Sequence, residues 1–92
     1  MQDKILYKID IKGRVQGVGY RWSAASEAVK RGITGIVKNM PDGSVYIEAE
    51  GTREQLDLYV KGCWEGPGLS HVKSVTFIEA APGGYQDFRV TH

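Results

Sequence analysis

The chain has 92 residues, including twelve glycines, and its twelve Lys and Arg against eleven Asp and Glu give a net charge of +1. This length predicts a single domain, residues 1–92, and argues against an enzyme with two lobes or a large cofactor cavity. The near-neutral charge argues against binding of nucleic acid by bulk electrostatics, and glycines without a Gly-X-Y period exclude collagen.

The N-terminal segment predicts a strand followed by a glycine-rich loop. Apolar and polar residues alternate over residues 4–11, a pattern typical of a strand with one buried face. The residues of the predicted buried face are Ile5, Tyr7, Ile9 and Ile11. Three glycines then interrupt the alternation, so we predict a loop over residues 13–19.

A helix is predicted from about Arg21 to Arg31, with Trp22, Ala25 and Val29 at helical spacing and Gly32 at its C-terminal end. Residues 34–39 and 44–50 predict two strands that form a hairpin. They flank the sequence Pro41-Asp42-Gly43, which is typical of a turn.

A second helix is predicted after Thr52, which has the spacing of a capping box with Gln55. Its apolar stripe comprises Leu56, Tyr59, Val60, Cys63 and Trp64. Residues 72–79 and 85–91 predict two further strands. The order β-α-β-β-α-β predicts an α+β sandwich of ferredoxin-like topology, with an antiparallel sheet, both helices on one face and an extra C-terminal strand.

The glycine-rich loop could bind an anion. Gly13, Gly17 and Gly19 allow successive N–H groups to converge on one point, and the following helix N-terminus adds further donors. Arg21 supplies a guanidinium that matches phosphate oxygens. The spacing fits neither a Walker A loop nor a dinucleotide fingerprint. The alternative is a tight structural turn in which Arg21 pairs with a surface acid.

Asn39 ends a predicted strand just before a turn, where an asparagine usually bonds the local backbone. The functional alternative is that its amide orients a water molecule. Tyr20 and Trp22 flank Arg21, and packing in the core or at its rim is expected for both. Cys63 is expected to be a buried thiol.

Few groups in the chain could serve acid–base or metal chemistry. No Ser/His/Asp, Cys/His or paired-carboxylate arrangement can be assembled around the loop. One cysteine and two histidines predict neither an intramolecular disulfide nor a Cys-based metal site. Without an apolar run near the roughly 20 residues of a bilayer span, or a signal-peptide pattern, we expect a cytoplasmic protein with no membrane contact. We also expect a monomer.

Two motifs resemble the signatures of the acylphosphatases. The first is Ile11-Lys-Gly-Arg-Val-Gln-Gly-Val-Gly-Tyr-Arg21, and the second runs from Gly35 through Asn39 and Pro41-Asp42-Gly43 to Val45, closing at Gly51. Their order, their separation and the short chain fit as well, so the resemblance covers nearly the whole sequence.

This resemblance implies a ferredoxin-like enzyme that hydrolyses the carboxyl-phosphate bond of acyl phosphates without a metal or cofactor. It implies that Asn39 positions the attacking water and that Arg21 and the loop N–H groups bind the phosphoryl group. The implied phosphate-binding residues are Val15, Gln16, Gly17, Val18, Gly19, Tyr20 and Arg21.

Two residues depart from the usual pattern of the family. Tyr20 stands where phenylalanine is usual, which adds a hydroxyl near the phosphate loop, and Ile36 stands where an aromatic residue is usual. Two alternatives to the enzyme are a non-catalytic phosphate- or nucleic-acid-binding module and the acylphosphatase-like segment of a larger carbamoyl-transfer protein.

Overall fold

A computed structural model describes residues 3–92 as two helices and five strands. The elements are β1 (Ile5–Arg14), α1 (Tyr20–Lys30), β2 (Thr34–Asn39), β3 (Val45–Gly51), α2 (Arg53–Cys63), β4 (His71–Ala80) and β5 (Phe88–Thr91). Their order is the predicted one. The main differences are that β1 runs on to Arg14 and that β5 begins only at Phe88. No helix in the described residues is long and apolar enough to cross a membrane.

The strands form one sheet in the order β4-β1-β3-β2-β5. The first four strands pair antiparallel, as expected for the ferredoxin-like topology, which is confirmed. The C-terminal strand differs, because β5 pairs parallel to β2. The complete sheet is therefore mixed rather than antiparallel throughout.

The core lies between one face of the sheet and the two helices. The side chains of Tyr7, Ile9 and Ile11 on β1 are buried against helix residues such as Ala28 and Leu56. The predicted alternation is confirmed from Tyr7 to Ile11, whereas Ile5 is only partly buried. The opposite face, which we call the open face, carries the polar residues of the same strands. Both helices therefore cover one side of the sheet, as predicted.

Leu6 and Glu50 are buried although they point to the open face. Because β4 and β5 form opposite edges of the sheet, the connection between them crosses this end of it. Within that connection, the N–H groups of Gly83 and Gly84 donate to Oε1 of Glu50, at 2.7 and 2.9 Å. The buried carboxylate is thereby hydrogen-bonded, as a buried charge must be.

The apolar residues that predict α1 by their helical spacing do not form its buried face. Trp22 and Val29 are 70% and 66% exposed, and the helix buries Tyr20, Ala24 and Ala28 instead. Both sets have helical spacing, but the two alanines bring the helix close to the sheet, whereas large side chains there would hold it away.

The predictions for α2 hold over most of its length. The capping box is confirmed, with Thr52 Oγ1 accepting from Gln55 N at 3.2 Å and Gln55 Oε1 accepting from Thr52 N at 2.8 Å. Tyr59 and Cys63 are buried, and burial raises the pKa of the Cys63 thiol to about 12. Trp64 follows the end of the helix and is 49% exposed, so the prediction that it continues the apolar stripe of α2 is wrong.

We predict that Gly35→Ala lowers the free energy of unfolding by at least about 2 kcal/mol. Gly35 has φ +147°, and a Cβ atom there would lie 1.7 Å from the carbonyl oxygen of Glu48 on β3. Urea denaturation of the variant beside the wild type measures the change.

Gly62→Ala is the matched control and has the opposite expected sign. A Cβ atom at Gly62 meets no other atom within 4 Å, and the residue lies within α2. Since alanine favours a helix over glycine, we expect a gain of about 0.5–1 kcal/mol. Equal effects of the two substitutions would contradict this account of the β2–β3 contact.

Candidate active site

The loop between β1 and α1 is held at both of its ends. Val15, directly after β1, and Tyr20, the first residue of α1, are 1% and 3% exposed. Gly17 and Gly19 lie between them at the surface. The buried ends fix the backbone while its middle remains accessible.

The loop backbone has the geometry of an anion nest. Gly17 and Gly19 have φ +74° and +80°, and no non-glycine residue in the described chain has a positive φ, so the sign alternates around Val18. Such alternation points successive N–H groups to one side. No acceptor in the described chain receives a hydrogen bond from the N–H groups of residues 15–20.

The N-terminus of α1 adds to this local positive field. Its N-cap is Gly19, which offers no side-chain acceptor, and its first turn has no acidic residue. In contrast, α2 begins with a capping box and carries Glu54 in its first turn. The partial positive charge at the start of α1 is therefore not offset by its own residues.

Arg21 is oriented by the C-terminal strand. Its Nη1 donates to the carbonyl oxygen of Thr91 at 2.9 Å and lies 3.4 Å from Nδ1 of His92. The two ion pairs found within residues 3–92, Arg53–Glu79 and Arg89–Asp87, do not involve it. The structure therefore does not support the alternative in which Arg21 pairs with a surface acid.

Asn39 ends β2 beside the β2–β3 turn, but its side chain does not form that turn. Asp42 does so, because its Oδ1 accepts from the N–H and the hydroxyl of Ser44, and these bonds lower the pKa of Asp42. Oδ1 of Asn39 is buried and accepts no hydrogen bond from any described residue. A buried acceptor without a donor costs about 1–3 kcal/mol, which points to a role outside the local backbone.

The loop, Arg21 and Asn39 meet at one cavity of about 190 Å³. Its lining residues are Val15, Gly17, Gly19, Tyr20, Arg21, Trp22 and Asn39. They include no carboxylate, imidazole or amine. Within residues 3–92 there is also no group of three or more His, Cys, Asp or Glu side chains placed to hold a metal ion.

A larger depression, of about 510 Å³, lies elsewhere and is lined by Arg53, Glu54, Asp57 and Leu58 on the exposed side of α2. It contains none of the backbone donors described above. Its carboxylates would also repel a phosphate. We therefore place the candidate site in the smaller cavity.

Two loop side chains, and the hydroxyl of the cavity-lining Tyr20, make their contacts elsewhere in the fold. Nε2 of Gln16 donates to the carbonyls of Met40 and Ser44, and Val18 packs against the core. The hydroxyl of Tyr20 donates to the carbonyl oxygen of Cys63, and burial raises its pKa. The expectation of a Tyr20 hydroxyl near the phosphate loop is therefore wrong.

Gly13 is not part of the nest, because it lies within β1 opposite Val72 of β4. A Cβ atom at Gly13 would stand 2.1 Å from the carbonyl oxygen of His71. The residue therefore permits close pairing of two strands, and the prediction that places it in the loop is wrong. Trp22 is at the rim of the cavity and is mostly exposed.

Comparisons with known proteins agree on one family. The sequence model of the acylphosphatase family matches residues 7–90. An acylphosphatase from Lactiplantibacillus plantarum is 43% identical over 81 residues, which are 87% of this chain and 90% of that protein.

Two solved structures of acylphosphatases are also similar to this chain. The acylphosphatase of Bacillus subtilis superposes with a TM-score of 0.94 at 37% identity, covering 96% of this chain and 99% of that one. An acylphosphatase from Coxiella burnetii superposes with a TM-score of 0.93 at 34% identity, covering 97% and 94% of the two chains.

We predict that Tyr20→Phe lowers stability and leaves turnover unchanged. The substitution removes the hydroxyl that donates to the Cys63 carbonyl, so the free energy of unfolding should fall by about 1–3 kcal/mol. Urea denaturation and steady-state kinetics with acetyl phosphate measure the two effects. A large fall in kcat with unchanged stability would show instead that the Tyr20 hydroxyl takes part in the reaction.

Proposed function

The chain belongs to the acylphosphatase family, and we propose that it hydrolyses acyl phosphates, such as acetyl or carbamoyl phosphate, with the residues around the 190 Å³ cavity. The observation that carries this assignment is the convergence of three features on that cavity. These are backbone N–H groups without protein acceptors, the guanidinium of Arg21 and the free amide oxygen of Asn39.

The N–H groups of residues 15–20 and Arg21 hold the phosphoryl group of the substrate. These donors are fixed before the substrate arrives, so they need little reorganisation as charge develops on the phosphoryl oxygens. Arg21 adds a permanent charge in a planar fork, and its bond to Thr91 sets the direction of that fork.

Asn39 orients the water that attacks phosphorus. The water oxygen forms a bond to phosphorus while the bond between phosphorus and the carboxyl oxygen breaks. The electron pair of the broken bond stays on the carboxylate that leaves. Because this leaving group is good and the transition state is loose, positioning and charge stabilisation can supply most of the catalysis. The proton of the water passes to a phosphoryl oxygen of the substrate.

The family assignment makes the chain an enzyme rather than a non-catalytic binding module. The open face of the sheet also lacks a free aromatic platform at Tyr46. The Tyr46 hydroxyl donates to Glu48, and Nζ of Lys38 lies 5.7 Å from the centre of its ring. A base could not stack there without displacing the lysine, so RNA binding by this face is disfavoured.

Every residue of this site comes from one chain. We therefore propose that the monomer is the active unit, and we propose a cytoplasmic location on the sequence evidence. The reaction as written uses no metal or cofactor. Phosphate release that is unchanged by EDTA would agree with this mechanism, and loss of activity on chelation would contradict it.

The decisive assay is phosphate release from acetyl phosphate, with a phosphate ester as the comparison substrate. Arg21→Ala should abolish both phosphate binding and turnover. Asn39→Ala should bind inorganic phosphate normally and lose turnover by two or more orders of magnitude, about the size of a lost transition-state contact. Arg89→Ala, which removes an exposed arginine paired with Asp87, is the charge-matched control and should remain active.

The two variants separate the two parts of the mechanism. Near wild-type turnover by Asn39→Ala would show that Asn39 does not position the water. Normal phosphate affinity in Arg21→Ala would show that phosphate binds at another site. Release from the ester as fast as from acetyl phosphate would contradict the substrate class.

We also predict that kcat shows no pH break that depends on a protein side chain between about pH 5 and 8. His92 is the test residue, because its ring lies 3.4 Å from Arg21. The pH–rate profile of His92→Ala should overlay that of the wild type. A break that disappears in this variant would identify a protein base and contradict proton transfer to the substrate.

A further inference from the structure

The side chain of Gln16 joins the phosphate loop to the turn that follows Asn39. Its Nε2 donates two hydrogen bonds, one to the carbonyl oxygen of Met40 and one to that of Ser44, each 2.8 Å long. Both hydrogens of the amide group are therefore used. The side chain is half-buried and lies outside the lining of the cavity.

The two acceptors stand at the two ends of one tight turn. Met40 directly follows Asn39, and its N–H donates to the carbonyl oxygen of Ser44 at 2.8 Å. The N–H of Gly43 donates back to the carbonyl oxygen of Met40 at 3.1 Å. These backbone hydrogen bonds already hold the turn in one conformation. The two hydrogen bonds from Gln16 therefore fix the position of the whole turn.

Strand pairing does not make this connection. β1 and β2 are not neighbours, since β3 lies between them. The pairing of β1 with β3 ends at Ile11 and Val45, and the last residues of β1, from Lys12 to Arg14, pair with β4. The loop therefore leaves the sheet beside the turn, without a ladder of backbone hydrogen bonds between the two.

We propose that Gln16 is a positioning residue that fixes the amide of Asn39 relative to the phosphate cradle. In-line attack requires the water and the phosphoryl group to be aligned, and a misplacement of about 1 Å can cost a factor of about 100 in rate. Gln16 acts through the Met40 and Ser44 carbonyls and does not touch the substrate. The inference rests on the proposed roles of Arg21 and Asn39.

The test is a double-mutant cycle between Gln16 and Asn39. We expect Gln16→Met, which keeps the volume of the side chain, to lower kcat by about 10- to 100-fold. The affinity for inorganic phosphate should remain within about twofold, because Arg21 and the loop N–H groups are unchanged. In the Asn39→Ala background, the same substitution should cause no further loss.

The possible outcomes separate the inference from the function on which it rests. Losses that multiply in the double variant, or an equal loss of phosphate affinity, would show a merely structural role and overturn the proposal. Full activity of folded Gln16→Met would also overturn it. If Asn39→Ala is itself fully active, the proposed water-positioning function fails first.

Urea denaturation shows whether the variants fold. Gln16→Ala serves as a second variant, with the same expected split between kcat and phosphate affinity. If neither variant folds, Gln16 is a stability residue and the proposal is wrong.

Discussion

The backbone of residues 15–20 presents a set of N–H groups for which the described protein has no acceptors. The middle of this segment is exposed, so its N–H groups are accessible to an anion, and its backbone stays in one conformation only where the rest of the fold holds it. Here Val15 and Tyr20 are buried at its two ends. Just before the loop, Gly13 allows β1 to approach β4 closely. Directly after the loop, α1 begins without a capping side chain or an acidic residue in its first turn.

Hydrolysis of an acyl phosphate requires few catalytic groups beyond this phosphate-binding loop. A mixed anhydride has a good leaving group, so a site that binds phosphate and aligns a water needs no strong acid or base. This agrees with a cavity lined by glycine backbone, an arginine and an asparagine amide. The site also requires that the phosphate loop and the turn after Asn39 are held in place relative to each other. Strand pairing does not connect these two segments, and in our proposal the hydrogen bonds of Gln16 do so.

Much of the molecule could be predicted from its sequence, because local signals are strong where they concern the backbone. The alternation in β1, the Thr52–Gln55 capping box and the order of elements all agree with the structure. The buried face of α1 could not be predicted, because alanines at helical spacing give a weaker signal than Trp22 and Val29. The direction of β5 and the contact of Tyr20 with Cys63 depend on tertiary packing, which no local pattern encodes. The two motifs were enough to predict Arg21 and Asn39 as site residues. The hydrogen bonds of the Gln16 side chain could not be predicted, because they join residues far apart in the chain.

Titration with inorganic phosphate, followed by backbone amide NMR, shows whether the loop backbone and Arg21 form the phosphate site. We expect the largest chemical-shift changes at the N–H groups of residues 15–21. These changes should disappear in Arg21→Ala and persist in Asn39→Ala. The largest changes at α2, around Arg53 and Asp57, or none at the loop at saturating phosphate, would contradict it.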